Sequence, residues 1–592
     1  MIRLAVLLIF FIAALAQRQC KTTPLDANWP STSDWVALNS SINGALLKVQ
    51  PVASSCYPEN PFNSSDSCDE VEANWNYSSF HASLPESIDS PIYANNSCLP
   101  PNATGYTTTK GCSISSLPQY IVNATTEQQI ATAMRWASER SIRIVVKGTG
   151  HDLNGRSSGA YSMSIWTRNF NSITLNSTWS VPGSNTTESV LIAGSGNNYG
   201  FVVRAALGVG RVVISGNDQT VGLGGHIQGG GHGPLSSTYG LAADQILQVR
   251  VVTTQGDILV ADATRNQDLL WAIRGGGAGQ YGVVTEYTLK THPAPTNVVT
   301  ANIIMSRVGN DSASINATWN ALAVLASAIP DLMDAGLAGS ANVLAGPSTG
   351  VSISLGFFAY NSTADALKSL TATVLASMQA QSAYKGSITV SLTDPVTYPS
   401  FLSFFDDLNS SPSGAGQASL LSSRLLGRAQ LSDLTIPNLV SNFQRIMLGD
   451  DTGSESLLII GLQAGPGPRS VEQSMRGALN PVWRSTYIHV ISVRSNLNAS
   501  NPPQEALNAA AMWCDQNLES VWREWAPDTG AYMNEANPFN SQFQHDFYGS
   551  SYDQLLEVKR KYDPTESLFV LSGVGSDAWE YDLNSGKLCR KN

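Results

Sequence analysis

The sequence predicts an α+β protein, and three features carry that expectation. Capped helical patterns and short β-branched runs alternate between residues 117 and 293. A hairpin signal lies around Gln255-Gly256-Asp257, between apolar runs at 245–253 and 258–261. No unit of about 20–50 residues repeats, which excludes a solenoid or a propeller. At 592 residues and 42% hydrophobic content, the chain has material for several domains around at least one large core.

Taken in order, the first residues carry Arg3, an apolar run from Leu4 to Leu15, and the small-residue stretch Ala14-Leu15-Ala16. The run is shorter than the about 20 residues that span a bilayer, so a secretory signal peptide ending near Ala16 is expected. Residues 17–115 are rich in Ser, Asn, Pro and Cys with little periodicity, which predicts an irregular, disulfide-pinned extension. Cys20, Cys56, Cys68, Cys98 and Cys112 fall there, while Cys514 and Cys589 lie late. No CxxC pair occurs, so disulfides are expected rather than a zinc site, with one thiol left over. Thirteen Asn-x-Ser/Thr triplets, Asn63, Asn102 and Asn361 among them, add the expectation of a glycosylated exterior.

Regular structure starts with a short strand at Gln119–Val122. Thr125 or Thr126 then caps a helix, with Gln128 or Gln129 completing a capping box and Ile130, Met134 and Ala137 forming its apolar face. A β-branched strand, Ile142–Val146, leads into Lys147-Gly148-Thr149-Gly150-His151-Asp152. A second strand, Val212–Ser215, leads into Gly216 and a glycine-rich segment at 221–233. A helix follows at Asp268–Arg274, ends at three glycines, and gives way to a strand at Val283–Leu289. Residues 294–525 alternate helical and strand patterns without a chemical motif, and 526–592 bring back glycines and aromatics.

Lys and Arg total 34 against 45 Asp and Glu, a net charge of −11. No dense Lys/Arg run is present, so the chain lacks the footprint of a nucleic-acid binder. The chemistry concentrates in the glycines. Gly222, Gly224, Gly225, Gly229, Gly230, Gly231 and Gly233 crowd twelve residues, although each costs roughly 0.5–1 kcal/mol relative to Ala in regular structure. Such density points to backbone pressed close to a ligand, and consecutive amides suit a diphosphate. The G-x-G-x-x-G match at Gly277, Gly279 and Gly282 follows a helix and precedes a strand, the reverse of a dinucleotide fingerprint. His151-Asp152 has no G-x-S-x-G partner, which argues against a serine hydrolase.

Four segments taken together, VVKGTGHD, VGLGGHIQGGGHGPLSSTYGLAADQILQVRVVTTQG, DLLWAIRGGGAGQYGVVTEYTLK and YDPTESLF, resemble the vanillyl-alcohol-oxidase-type FAD enzymes. Within these they are similar to the berberine-bridge-enzyme-like subgroup, over about 116–293 and 530–572. The resemblance implies a two-part FAD-binding domain, 116–293 with a returning segment 526–592. A mixed α/β substrate domain, 294–525, would sit over the flavin. It implies that His151 links covalently to the flavin 8α-methyl. Lys147, Gly148, Thr149, Gly150, Asp152, Gly216, Gly222, Gly224, Gly225, His226, Gly229, Gly230, Gly231, Asp244, Val284 and Asn534 would contact FAD.

Asp218 occupies the place of the cysteine that makes a second flavin link in bicovalent members, so a single link is expected. Val221 matches the family's oxygen-gating position, where valine goes with oxidases. Tyr532, Glu535 and His232 are the acid/base candidates, Tyr532 through a lowered pKa and Glu535 through a raised one. His545-Asp546 reads as solvated or structural. The expected function is a secreted, monomeric, metal-free oxidase acting on an alcohol-type carbon of a small molecule, with O2 as acceptor. A dehydrogenase with another acceptor and a non-catalytic flavin-binding glycoprotein stand as alternatives.

Overall fold

The structure, a computed structural model, describes residues 19–382, 386–449 and 455–591. The expected signal peptide lies outside the described residues. Three sheets organise the rest. Tyr120–Asn123, Met163–Trp166 and Ile144–Lys147 run parallel, and Leu46–Lys48 adds an antiparallel edge. Their crossover helix, Glu127–Glu139, carries the expected box between Thr126 and Gln129 and buries Ile130, Met134 and Ala137. A five-stranded antiparallel sheet follows, ordered Ile173–Ser180, Thr187–Gly194, Val283–Lys290, Ile246–Val252, Ile258–Asp262. The last two strands form the hairpin expected from the Gln255-Gly256-Asp257 turn.

The largest sheet is built from the middle of the chain. Val298–Arg307, Gly350–Tyr360, Leu337–Gly346, Ser456–Leu462, Thr486–Ser492 and Ser422–Gly427 lie in that order, all antiparallel. Helices Ser312–Asp334 and Ile436–Met447 pack on one face, where Trp319, Leu322, Phe443 and Ile446 meet Ile303, Leu355 and Leu458 in one apolar cluster. Towards the far edge the strands are covered on both sides. Every residue of Thr486–Ser492 is buried, including His489.

The N-terminal segment is more regular than its composition predicts. Ser31 and Asp34 form a capping box for a helix at Thr32–Ser41, whose Trp35 and Leu38 are buried. Trp35, Leu38 and Ile42 are spaced three and four apart, but the Ser and Asn between them hide the period. Further helices run Cys68–Asn74 and Ser78–Ser83. Disulfides join Cys56 to Cys68, Cys98 to Cys112, and Cys20 to Cys589. The last ties the two ends of the described chain together. Cys514 is the leftover thiol and is buried. No helix among the described residues is long and apolar enough to cross a membrane.

Candidate active site

A cleft with about 1400 Å³ of empty space, its open mouth included, runs along the carboxyl end of the parallel sheet. Ligands commonly sit outside the carboxyl ends of parallel strands, because the loops there point away from the sheet. The strand Ile144–Lys147 ends in the loop that supplies Gly148, Thr149, Gly150, His151 and Asp152 to one wall. Gly216, Val221, Gly222, Gly224, Gly225, His226 and His232 form another. Val284, Tyr532, Asn534 and Glu535 add to the lining from further along the chain. Four segments far apart in sequence thus meet in one place.

The glycine-rich segment is not all loop. Leu223–Gln228 forms a short helix with Gly222 at its N-cap. A Cβ built on Gly224 or Gly225 meets nothing within 4 Å, so these backbone faces are open to the cleft. Gly229, Gly230 and Gly231 lie off the cleft wall. They are glycine for packing: a Cβ would come within 2.4 Å of Asn534, 2.8 Å of Leu479 and 2.6 Å of His226 respectively. Two other expected FAD contacts also point elsewhere. Asp244 takes a two-pronged ion pair from Arg484, at 2.8 and 2.9 Å. Lys147 is buried beneath its loop and donates to the carbonyls of His81 and Leu84.

The cleft carries unspent polar atoms. Arg156 Nε and Nη2, Asn154 Oδ1, Ser195 Oγ and Gln228 Oε1 are buried without a partner, and all four residues line it. Unpaired buried polar groups are costly, so such a set is what a polar ligand would satisfy. A guanidinium beside open glycine backbone suits a diphosphate, and the amide and hydroxyl groups suit a sugar-alcohol chain. The donor set therefore fits FAD. Arg156 and Asn154 carried no sequence signal except their nearness to His151.

At the other side of the cleft Glu535 collects two imidazoles. His232 Nε2 donates to Glu535 Oε2 at 3.1 Å, and His489 Nδ1 is 3.4 Å from the same oxygen. His232 Nδ1 meets Gln463 Oε1. Behind them, Tyr199 donates to His226 Nδ1 at 2.7 Å, and His226 Nε2 donates to the carbonyl of His232 at 2.9 Å. His489 and Gln463 come from the large sheet region and belong to no motif, so sequence reading missed both.

Both acid/base expectations at 532–535 change sign. Burial alone would raise the Glu535 carboxyl, but the charge and hydrogen bond of His232, then the charges of His489 and His226, bring it down to about 2. Burial and then the charge of Glu535 push the Tyr532 hydroxyl well above its ordinary value. Tyr532 thus stays protonated, accepting from Asn534 Nδ2 at 2.8 Å while keeping its own hydrogen to donate. Burial pushes His489 down to about 3 and His226 down to about 4. Asp546, as expected, is structural and pairs with buried Arg424 at 2.9 Å.

Known proteins match this chain over most of its length. Residues 118–262 match the family described as FAD binding domain, and residues 531–569 match Berberine and berberine like. FAD-linked oxidoreductase apf9 of Gibberella fujikuroi is 32% identical, across 98% of each chain. VAO-type flavoprotein oxidase VAO615 of Thermothelomyces thermophilus is 31% identical, across 96% of this chain and 95% of that one. The crystal structure of VAO-type flavoprotein MtVAO615 from Myceliophthora thermophila C1 superposes with a TM-score of 0.83 at 29% identity. It covers 97% of this chain and 100% of that one.

Proposed function

Because the chain belongs to the vanillyl-alcohol-oxidase-type FAD-linked oxidoreductases, we propose that it is a secreted oxidase. It would take a hydride from an alcohol-type carbon of a small molecule and return the electrons to dioxygen as hydrogen peroxide. The observation that carries this reading is the Glu535 carboxylate held against His232 and His489 in the FAD cleft. Bound FAD supplies the hydride acceptor and the reduction of oxygen. Gly148, Gly150, Gly222, Gly224, Gly225 and Arg156 would hold it, and His151 would link it covalently, once, because Asp218 cannot form a thioether. The parallel and five-stranded sheets, with the C-terminal return, serve as the FAD part. The large sheet serves as the substrate part.

The chain's own task is to bind and to manage one proton. Glu535, ionised down to about pH 2, accepts the hydrogen of a substrate hydroxyl and orients it. Its proton then passes into the Glu535–His232 pair as the carbon loses hydride. Tyr532 donates to the same oxygen and cannot act as the base. A polar recess lined by Gln219, Asn409, Ser410 and Ser413 shares Asn217 and Asp218 with the cleft, and suits a hydroxyl-rich substrate. Carbohydrates and hydroxylated secondary metabolites are the classes that match. Val221 on the cleft wall supports oxygen as acceptor, and three disulfides support an oxidising compartment.

A substrate screen read in parallel by peroxide formation and by an artificial dye tests this function. Peroxide equal to substrate consumed supports the oxidase. Turnover seen only with the dye makes the protein a dehydrogenase, and no turnover with any alcohol overturns the reading.

A further inference from the structure

Asp89 is brought to the flavin loop by a segment that carries none of the recognised motifs. It lies between the helix Ser78–Ser83 and the turn Pro91–Ala94, 62 positions before His151 in the chain. Its backbone is fixed from both sides: its N–H donates to the Gly150 carbonyl at 3.0 Å, and its carbonyl accepts from Gly416 at 2.8 Å. Its side chain is buried, with Oδ2 accepting from Ser78 Oγ at 2.6 Å and lying 3.4 Å from His151 Nδ1. Oδ1 is buried without any partner. A carboxylate left half-paired inside a protein and set against one imidazole nitrogen calls for a reason.

Two other groups face the same nitrogen. Thr220 Oγ1 is 3.4 Å away and Asp218 Oδ2 is 4.0 Å away. Asp218 is already committed: Oδ1 accepts from the Thr220 N–H and hydroxyl, both at 2.7 Å, and Oδ2 accepts from Ser413. Asp89 is nearer and has an oxygen to spare. Burial, only partly opposed by the charge of His151, pushes its carboxyl up to about 6, which suits exchange of a proton near neutral pH.

We propose that Asp89 is the proton acceptor for covalent flavin attachment at His151. The proposal rests on the reading that His151 carries the flavin. Attachment breaks the imidazole N–H bond and one C–H bond of the flavin 8α-methyl, and forms the C–N bond between them. The imidazole proton goes to Asp89. Two electrons and, in the end, two protons leave with dioxygen as hydrogen peroxide, so the attached flavin finishes oxidised. The N-terminal segment is then a working part of the cofactor site, and its anchoring by Gly150 and Gly416 sets the reach of the carboxylate.

The experiment follows attachment itself. Full-length wild type, Asp89→Asn and Asp89→Ala are produced under riboflavin limitation, then incubated in air with FAD. Flavin retained after acid precipitation is measured against time. Wild type should retain flavin in the precipitate, while both variants bind FAD that acid releases, with attachment slowed about 100-fold, the usual scale for a lost general base. Formate, but not chloride at equal ionic strength, should restore attachment in Asp89→Ala, which a purely structural role would not produce. Attachment at the wild-type rate in both variants overturns the proposal, and so does failure of both to bind FAD in any form. If wild type itself releases its flavin into acid, the covalent reading of His151 has failed, a separate result.

Discussion

Asp218 Oδ2 stands 4.0 Å from His151 Nδ1, and a carboxylate there cannot form the thioether of a second flavin link. Its oxygens are held by Thr220 and Ser413, so the side chain is fixed there and is not free to swing aside. A single attachment is therefore the expected outcome. Digestion and mass spectrometry should find one flavinylated peptide, containing His151. A flavin bridging that peptide to a cysteine peptide would contradict this. His151→Ala should release all of its flavin on acid precipitation.

Removing the charge of Glu535 should strike turnover more than substrate binding. Glu535→Gln is expected to lower kcat by about 100-fold or more, the range for a lost acid/base group. Tyr532→Phe should cost less, because its hydroxyl donates a hydrogen bond and accepts no proton. With the Glu535 carboxyl near 2, the pH–rate profile should show no acid limb belonging to it above about pH 4. Steady-state kinetics of the two variants from pH 4 to 9 measures both effects.

Stability should respond to pH through Glu519, well away from the chemistry. Its carboxyl is fully buried, Oε1 accepting from Ser422 at 3.0 Å and Oε2 without a partner. Burial, then the charge of Asp546, raises it to about 7. A carboxyl raised above its unfolded value of about 4.3 holds its proton more tightly in the folded state. Its contribution is therefore intact below that value and is lost as pH rises towards 7, by on the order of 3 kcal/mol. Glu519→Gln imitates the protonated form. Its Tm relative to wild type should climb between pH 4.5 and 7 and stay level above, as followed by thermal unfolding.

The sequence made legible those parts of the site that one segment carries whole. The loop 147–152, the glycines 222–225 and the stretch 532–535 each lie within one segment, so glycine density and the family resemblance located them. Asp89, Gln463 and His489 were not legible, because each reaches the cleft only through tertiary packing. His489 sits in an all-buried strand, where a histidine looks like any other core position until the facing Glu535 is known. The signs of the Glu535 and Tyr532 shifts were hidden for the same reason. The Glu535 shift depends on His232 and His489 standing beside the carboxylate, and the Tyr532 shift on burial and the charge of Glu535, facts of the fold and not of local composition. The helix Thr32–Ser41 was missed because its buried residues, Trp35 and Leu38, are set among polar ones.

Val221 lines the cleft and is half-buried. Val221→Leu moves the branch one carbon outward and adds a methylene, filling space that valine leaves open. Reoxidation of reduced flavin should slow while reduction by substrate hardly changes. A change in the reductive half alone would place Val221 on the substrate side of the cleft.

The most direct test of the oxidase assignment is the rate at which the wild-type flavin, once reduced anaerobically, regains its colour on mixing with aerated buffer. Stopped-flow absorbance should show complete reoxidation within seconds, with one hydrogen peroxide formed for each flavin. A reduced flavin that persists for minutes in air, yet is oxidised at once by an artificial dye, would contradict the oxidase and make the protein a dehydrogenase.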